Sequence, residues 1–96
     1  MATTSFDFVP RAYRPDKPRS FGLTEIRGPY YATYGTRHLE DVLDVAGQWV
    51  DGVKWAGGSF ALLPREQVRA FSDLAHKHNA YISSGGWIET VLRYGP

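Results

Sequence analysis

The sequence contains no cysteine among its 96 residues. Disulfide bonds, thiolate metal sites and a cysteine nucleophile are therefore excluded. A chain without disulfides suits a reducing compartment, so we expect it in the cytoplasm.

Long hydrophobic runs are also missing. No apolar stretch approaches the roughly 18 residues that a membrane-spanning helix needs. The opening residues, MATTSFDFVP, lack the basic segment and apolar run of a secretory signal. The sequence therefore predicts neither secretion nor insertion into a membrane.

An excess of charge of one sign is absent as well. The 11 Lys and Arg residues nearly balance the 10 Asp and Glu residues, giving a net charge of +1. Nucleic-acid-binding domains usually carry a clustered basic face and a high pI, so no nucleic-acid partner is expected. What is present is apolar: hydrophobic residues make up 43% of the chain, which is too much for a disordered protein.

Residues 1–20 predict an extended arm. Pro10, Pro15 and Pro18 stand among charged residues without helix or strand periodicity. Residues 15–18 also match the PxxP pattern of peptides that bind as polyproline helices, although such short matches often arise by chance. We therefore expect this arm to pack on the fold or to fray, rather than to serve a partner.

The rest of the chain, 21–96, alternates strand-like and helix-like patterns. Short strands are predicted over 21–26, 52–56 and 80–83. This spacing is typical of right-handed βαβ units, so the predicted fold class is α/β with a parallel sheet of three βα units. Because three parallel strands leave two unpaired edges and a closed barrel has eight strands, the sheet is expected to be part of a (β/α)8, or TIM, barrel.

Helices are predicted between the strands from apolar stripes at spacings of three and four, the first of them over 37–50. The second is expected to begin at Pro64, a residue favoured at the first helical position, and to end at Asn79 in a left-handed conformation. After the third strand, residues 87–94 could make two further helical turns before Gly95-Pro96.

Ligand sites in parallel α/β folds lie in the loops after the carboxyl ends of the strands. Arg27 follows the first strand and could hold a carboxylate or phosphate through paired hydrogen bonds, although a surface charge is the alternative. Lys54 lies within the apolar second strand, where it must face a site or meet a structural carboxylate. The Gly57-Gly58-Ser59 amides behind it could approach an anion closely.

The loop after the third strand contributes Ser83, Ser84, Gly85 and Gly86. Glu89 follows near the start of a helix, where it could orient a cation or a proton, or could simply be a charge at a helix terminus. The three histidines do not form a zinc-binding pattern, and no serine hydrolase motif is present.

Two segments resemble the phosphosulfolactate synthase family. They are Gly47–Ser59, which reads GQWVDGVKWAGGS, and Gly85–Glu89, which reads GGWIE. Together with Gly22–Glu25, they are most similar to the family's eukaryotic branch of heat-stress-associated proteins. Members are barrels about three times as long, so the resemblance implies that this chain is the amino-terminal portion of such a barrel.

The resemblance implies a magnesium-dependent addition of sulfite to phosphoenolpyruvate, a carbon–sulfur lyase-type reaction. Lys54 would then stabilise developing charge or donate a proton, and Glu89 would orient Lys54 or the metal. The substrate anions would be held by Arg27 and by the loop residues Gly57, Gly58, Ser59, Gly85 and Gly86.

Three interpretations follow from this resemblance. The first is a synthase-like chain that is inactive alone and is completed by a longer parent or by further copies in a homo-oligomer. The second is a stress-related protein that kept the barrel without the reaction. This option arises because typical synthases read KFGWGTS where this chain reads KWAGGS. The third is a truncated gene product with no independent role.

Overall fold

The computed structural model describes residues 5–28 and 34–95. Within these ranges, three strands alternate with three helices, which confirms the predicted α/β class. The elements are β1 (Glu25–Arg27), α1 (Thr36–Ala46), β2 (Gly52–Lys54), α2 (Arg65–Lys77), β3 (Tyr81–Ser83) and α3 (Trp87–Tyr94). Short 3-10 turns at Gly47–Trp49 and Ser59–Leu62 follow α1 and precede α2.

The three strands form one parallel sheet in the order β1-β2-β3. The middle residues Ile26, Val53 and Ile82 stand in line across the sheet, and so do the last residues of each strand. The predicted parallel arrangement is therefore confirmed. All three carboxyl ends lie at one edge, which places the loops that follow them side by side.

The hydrophobic core lies between the sheet and helices α1 and α2. Val53 is fully buried among residues of both helices, and Ile26 and Ile82 pack against the same cluster. The buried members of this cluster are Leu39, Leu43, Val50, Val53, Trp55, Phe71, Ala75 and Ala80. Because side chains alternate along a strand, the residues on either side of these three strand centres point to the opposite face.

The second helix closely follows the sequence pattern. Pro64 has an extended backbone and stands one residue before α2, which begins at Arg65. After the helix ends at Lys77, Asn79 adopts the left-handed conformation with φ of 58°, as predicted. Pro64 removes an N–H that would have no helical partner, and Asn is among the few residues that tolerate the left-handed stop.

Three element boundaries differ from the prediction by two residues or more, and the others agree within one residue. The first strand begins at Glu25 rather than residue 21, because Gly22 is left-handed with φ of 63° and turns the chain. Helix α1 ends at Ala46, where the backbone tightens into the 3-10 turn. The second strand pairs only as far as Lys54, although the Trp55 N–H still donates to the Ser83 carbonyl at 2.8 Å. Residues 29–33, which follow β1 in the sequence, lie outside the described residues.

The arm packs across the amino ends of the strands. Arg19 Nη1 donates to Asp51 Oδ1 at 2.7 Å, immediately before β2. Lys17 Nζ donates to the carbonyls of Gly47 and His78, at 3.0 and 2.7 Å. The PxxP stretch is therefore held against the fold through its central lysine. The division at residue 20 into an arm and a partial barrel stays a prediction.

Among the described helices, none has the length and apolar character needed to cross a membrane.

Candidate anion-binding site

The uncovered face of the sheet carries polar side chains. We call the open face the six strand residues that point away from the core: Glu25, Arg27, Gly52, Lys54, Tyr81 and Ser83. They form two rows across the sheet, because each strand contributes its first and third residue. Tyr81 is 40% exposed, and Lys54 and Ser83 are half-buried.

The upper row lies at the carboxyl ends of the strands. Arg27 pairs in register with Lys54, and Lys54 pairs with Ser83. Neighbouring strands stand about 4.8 Å apart, so two cations and a hydroxyl are side by side on one face. Two adjacent cations favour a ligand with more than one negative charge. The structure thus brings together the residues predicted after three separate strands.

The backbone on both sides of Lys54 is fixed by its neighbours. The Gly28 N–H donates to the Lys54 carbonyl at 2.7 Å, and a Cβ added at Gly28 would come within 2.9 Å of that oxygen. On the other side, the Trp55 N–H donates to the Ser83 carbonyl at 2.8 Å. Trp55 itself is buried and stacks at 4.4 Å from the Phe71 ring. The backbone at Lys54 is therefore hydrogen-bonded on both edges of the strand, towards β1 and towards β3.

The loop after β2 turns sharply through two glycines. Gly57 and Gly58 have φ of 60° and 73°, in the left-handed region that favours glycine. The Ser59 N–H donates to the Ala56 carbonyl at 3.1 Å, so Ser59 uses its amide to close this turn. Of the three amides predicted for anion binding, those of Gly57 and Gly58 are the better candidates.

The loop after β3 lies against the loop after β2. The Gly85 N–H donates to Ser83 Oγ at 3.2 Å, and Gly85 is left-handed with φ of 60°. Trp87 packs its indole on Gly58, where an added Cβ would stand 2.5 Å from Cε3 of the ring. The predicted loop residues of both strands therefore form one continuous surface beside the upper row.

Glu89 and Gly86 stand at the edge of this surface. Glu89 lies in the exposed first turn of α3, and its N–H donates to the Gly86 carbonyl at 3.1 Å. Within the described residues no ion pair joins Glu89 to Lys54. Its role in orienting Lys54 or a metal stays a prediction.

The lower row consists of Glu25, Gly52 and Tyr81, the first residues of the three strands. It contains a hydrogen-bonded pair of side chains that was not predicted from the sequence. The Tyr81 hydroxyl hydrogen-bonds the Glu25 carboxylate across Gly52, and this bond, together with burial, raises the pKa of Tyr81 above its ordinary value. The Tyr81 ring fills the space over Gly52, where an added Cβ would meet it at 2.2 Å. The period of two along the strands could have revealed both residues, because each stands two positions before a predicted site residue.

Metal ligands are not clustered in the described part of the chain. No group of three or more His, Cys, Asp or Glu residues is placed there so that it could hold a metal ion. The carboxylate on the open face, Glu25, is already hydrogen-bonded to Tyr81.

Comparison with known proteins gives one family and one curated relative. A family model described as (2R)-phospho-3-sulfolactate synthase (ComA) matches residues 12–96. Protein HEAT-STRESS-ASSOCIATED 32 of Arabidopsis thaliana is 43% identical over 83 residues, covering 86% of this chain. The same match covers 29% of the plant protein, so the chain spans less than a third of that relative's length. No solved structure matches the chain significantly. The resemblance predicted from the motifs is confirmed.

Proposed function

Because the chain belongs to the (2R)-phospho-3-sulfolactate synthase family, we propose that it supplies the anion-binding part of a site for sulfite addition to phosphoenolpyruvate. In this proposal its three βα units are the first three units of a (β/α)8 barrel. Three parallel strands and a 29% share of the plant relative's length are compatible with that position. The open face would then be the inside of the barrel.

The main support for this proposal is the position of the upper row. Arg27, Lys54 and Ser83 stand in register at the strand ends, where barrels place their ligands. Phosphoenolpyruvate carries a phosphate and a carboxylate, and sulfite is a further anion. A row of two cations beside glycine amides can bind such anions by charge-assisted hydrogen bonds.

The reaction would develop charge next to this row. The sulfur lone pair of sulfite attacks the methylene carbon of phosphoenolpyruvate and forms the carbon–sulfur bond. The electrons of the double bond move towards the carbon that bears the carboxylate, and a proton then adds to that carbon. Lys54 would stabilise the charge on the carboxylate or donate the proton, while Arg27 would hold the phosphate or carboxylate.

Magnesium dependence remains an expectation from the family. The described residues contain no group of three or more His, Cys, Asp or Glu that could hold a metal ion, and the roles proposed for Arg27 and Lys54 are those of the side chains themselves. Turnover by this chain alone is not expected, because a site between barrel strands needs side chains from several of them.

Replacement of Lys54 by methionine tests the proposal. Removing one charged hydrogen bond should weaken phosphoenolpyruvate binding by about tenfold or more, because such bonds contribute about 1.5–3 kcal/mol. Isothermal titration would compare the wild-type chain, Lys54→Met and Arg27→Met. Lys77→Met is the matched control, because Lys77 lies in the last turn of α2 and outside the open face. Unchanged binding in Lys54→Met and Arg27→Met, or an equal loss in Lys77→Met, would contradict the proposal.

A second candidate is a stress-related protein that keeps the fold without the reaction. The 43% identity to the heat-stress-associated protein of Arabidopsis favours it. This candidate predicts that the wild-type chain binds neither phosphoenolpyruvate nor sulfite in the same titration.

The third interpretation, a truncated product with no independent role, predicts that the chain gives no cooperative unfolding transition.

A further inference from the structure

We infer that Gly85 is a positioning residue for Lys54: because residue 85 has no side chain, the lysine stem can occupy the space beside it, and this sets the position of the ammonium group. This inference deepens the proposed function and rests on it for the ligand, but not for the contact. Gly85 lies in the loop after β3, and Lys54 is the last residue of β2. The loop of one strand therefore lies beside the end of the neighbouring strand.

The space between Gly85 and the Lys54 side chain is too small for a side chain at residue 85. A Cβ at Gly85 would stand 3.2 Å from Lys54 Cδ, 3.3 Å from Lys54 Cγ and 3.1 Å from the Trp55 carbonyl oxygen. All three distances are shorter than ordinary van der Waals contact between such atoms. The methylene groups of Lys54 therefore occupy the space that a side chain at residue 85 would take.

Lys54 has more freedom to yield than the backbone beside it. The Trp55 N–H is bonded to the Ser83 carbonyl, and the Lys54 carbonyl accepts the Gly28 N–H. The flexible lysine stem, with its rotatable bonds, has no such restraint. A Cβ at residue 85 would thus rotate the stem, and the ammonium group at its end would move further than the atoms in contact.

Gly86 provides a control one residue away. It has φ of −75°, and an added Cβ would meet nothing within 4 Å. Gly22 provides a second control, because it is left-handed with φ of 63° and its Cβ would also meet nothing within 4 Å. Gly22→Ala therefore reproduces the backbone strain of Gly85→Ala without a contact to Lys54.

The experiment measures the Lys54 side chain before any ligand is added. The NMR signals of the Lys54 ε-CH2 group, assigned by their loss in Lys54→Arg, are compared among the wild type, Gly85→Ala, Gly86→Ala and Gly22→Ala. We expect the signals to shift in Gly85→Ala alone. Gly85→Asn separates strain from contact, because Asn tolerates the left-handed backbone yet still adds a Cβ. It should shift the signals as much as Gly85→Ala while unfolding closer to the wild type.

Titration with inorganic phosphate then links position to binding. Gly85→Ala and Gly85→Asn should weaken binding by about tenfold, as expected when one charged hydrogen bond is misaligned. Gly22→Ala, which lies outside the proposed anion-binding residues, should bind as the wild type does. If the wild type binds no phosphate, the proposed function fails, and the ε-CH2 signals still decide the role of Gly85. Unshifted signals in Gly85→Ala, or equal shifts in Gly22→Ala, would overturn the inference.

Discussion

Asp51 holds the amino end of the sheet through one buried carboxylate. Its side chain is 5% exposed and accepts hydrogen bonds from Arg19 Nη1 and from the Thr24 N–H, both at 2.7 Å. Burial acts against its ionisation, but these bonds and the charges of Arg19 and Arg14 outweigh it and hold the pKa of Asp51 below its ordinary value. The sequence placed Asp51 within a family motif but did not predict its hydrogen bonds, because its partners lie 27 and 32 residues away.

Replacement of Asp51 by asparagine should lower the free energy of unfolding by about 3 kcal/mol, because it leaves the Arg19 guanidinium buried without its counter-charge. The wild type gains this stabilisation fully above the ordinary aspartate pKa of about 4 and loses it as the pH falls through the lowered pKa. Urea unfolding across this acid range should therefore show a weaker pH dependence in Asp51→Asn.

The matched control is Asp44→Asn. The Asp44 carboxylate is 62% exposed and stands 3.9 Å from His78 Nε2, so its replacement should change the free energy of unfolding by no more than about 0.5 kcal/mol. An equal loss in both variants, or none in Asp51→Asn, would show that the arm is not held by this ion pair.

The helices could be predicted from sequence more closely than the strands. Helix α2 carries a strong apolar stripe with a proline start and an asparagine stop, which are local signals. Strand β1 has only three residues, and its start depends on the left-handed turn at Gly22 and on pairing with β2, which the strand-like composition of 21–26 does not reveal. For the candidate site, the positions of Arg27 and Lys54 at strand ends could be predicted, because Arg27 follows one strand-like run and Lys54 interrupts the next. The Glu25–Tyr81 bond required the register between strands that are distant in sequence.

The loops after β2 and β3 meet through Gly58 and Trp87, and this contact can be isolated. Gly58→Ala should destabilise the chain by about 2 kcal/mol, from left-handed backbone strain and from overpacking against the indole. In a Trp87→Leu background only the strain remains, so the same change should cost less. Urea unfolding of the four proteins in this cycle gives the difference. Equal losses in the two backgrounds would mean that the loops are not coupled by this packing.

In the molecule as a whole, the two ends of the sheet carry different groups of residues. The amino ends are held by the arm through Arg19, Lys17 and Asp51. The carboxyl ends carry Arg27 and Lys54 beside glycine loops. In (β/α)8 barrels the carboxyl ends of the strands carry the ligand site and the opposite end contributes to stability. That this sheet belongs to such a barrel, completed by a longer parent or by further copies of the chain, stays a prediction.

We propose that the carboxyl ends of the strands bind a small anion. This binding can be measured by NMR while the 15N-labelled chain is titrated with phosphoenolpyruvate. We expect saturable shifts of the amide signals of Arg27, Lys54 and residues 83–87, with the signals of Lys17, Arg19 and Asp51 unchanged. The absence of any shift, or shifts confined to the arm end, would contradict it.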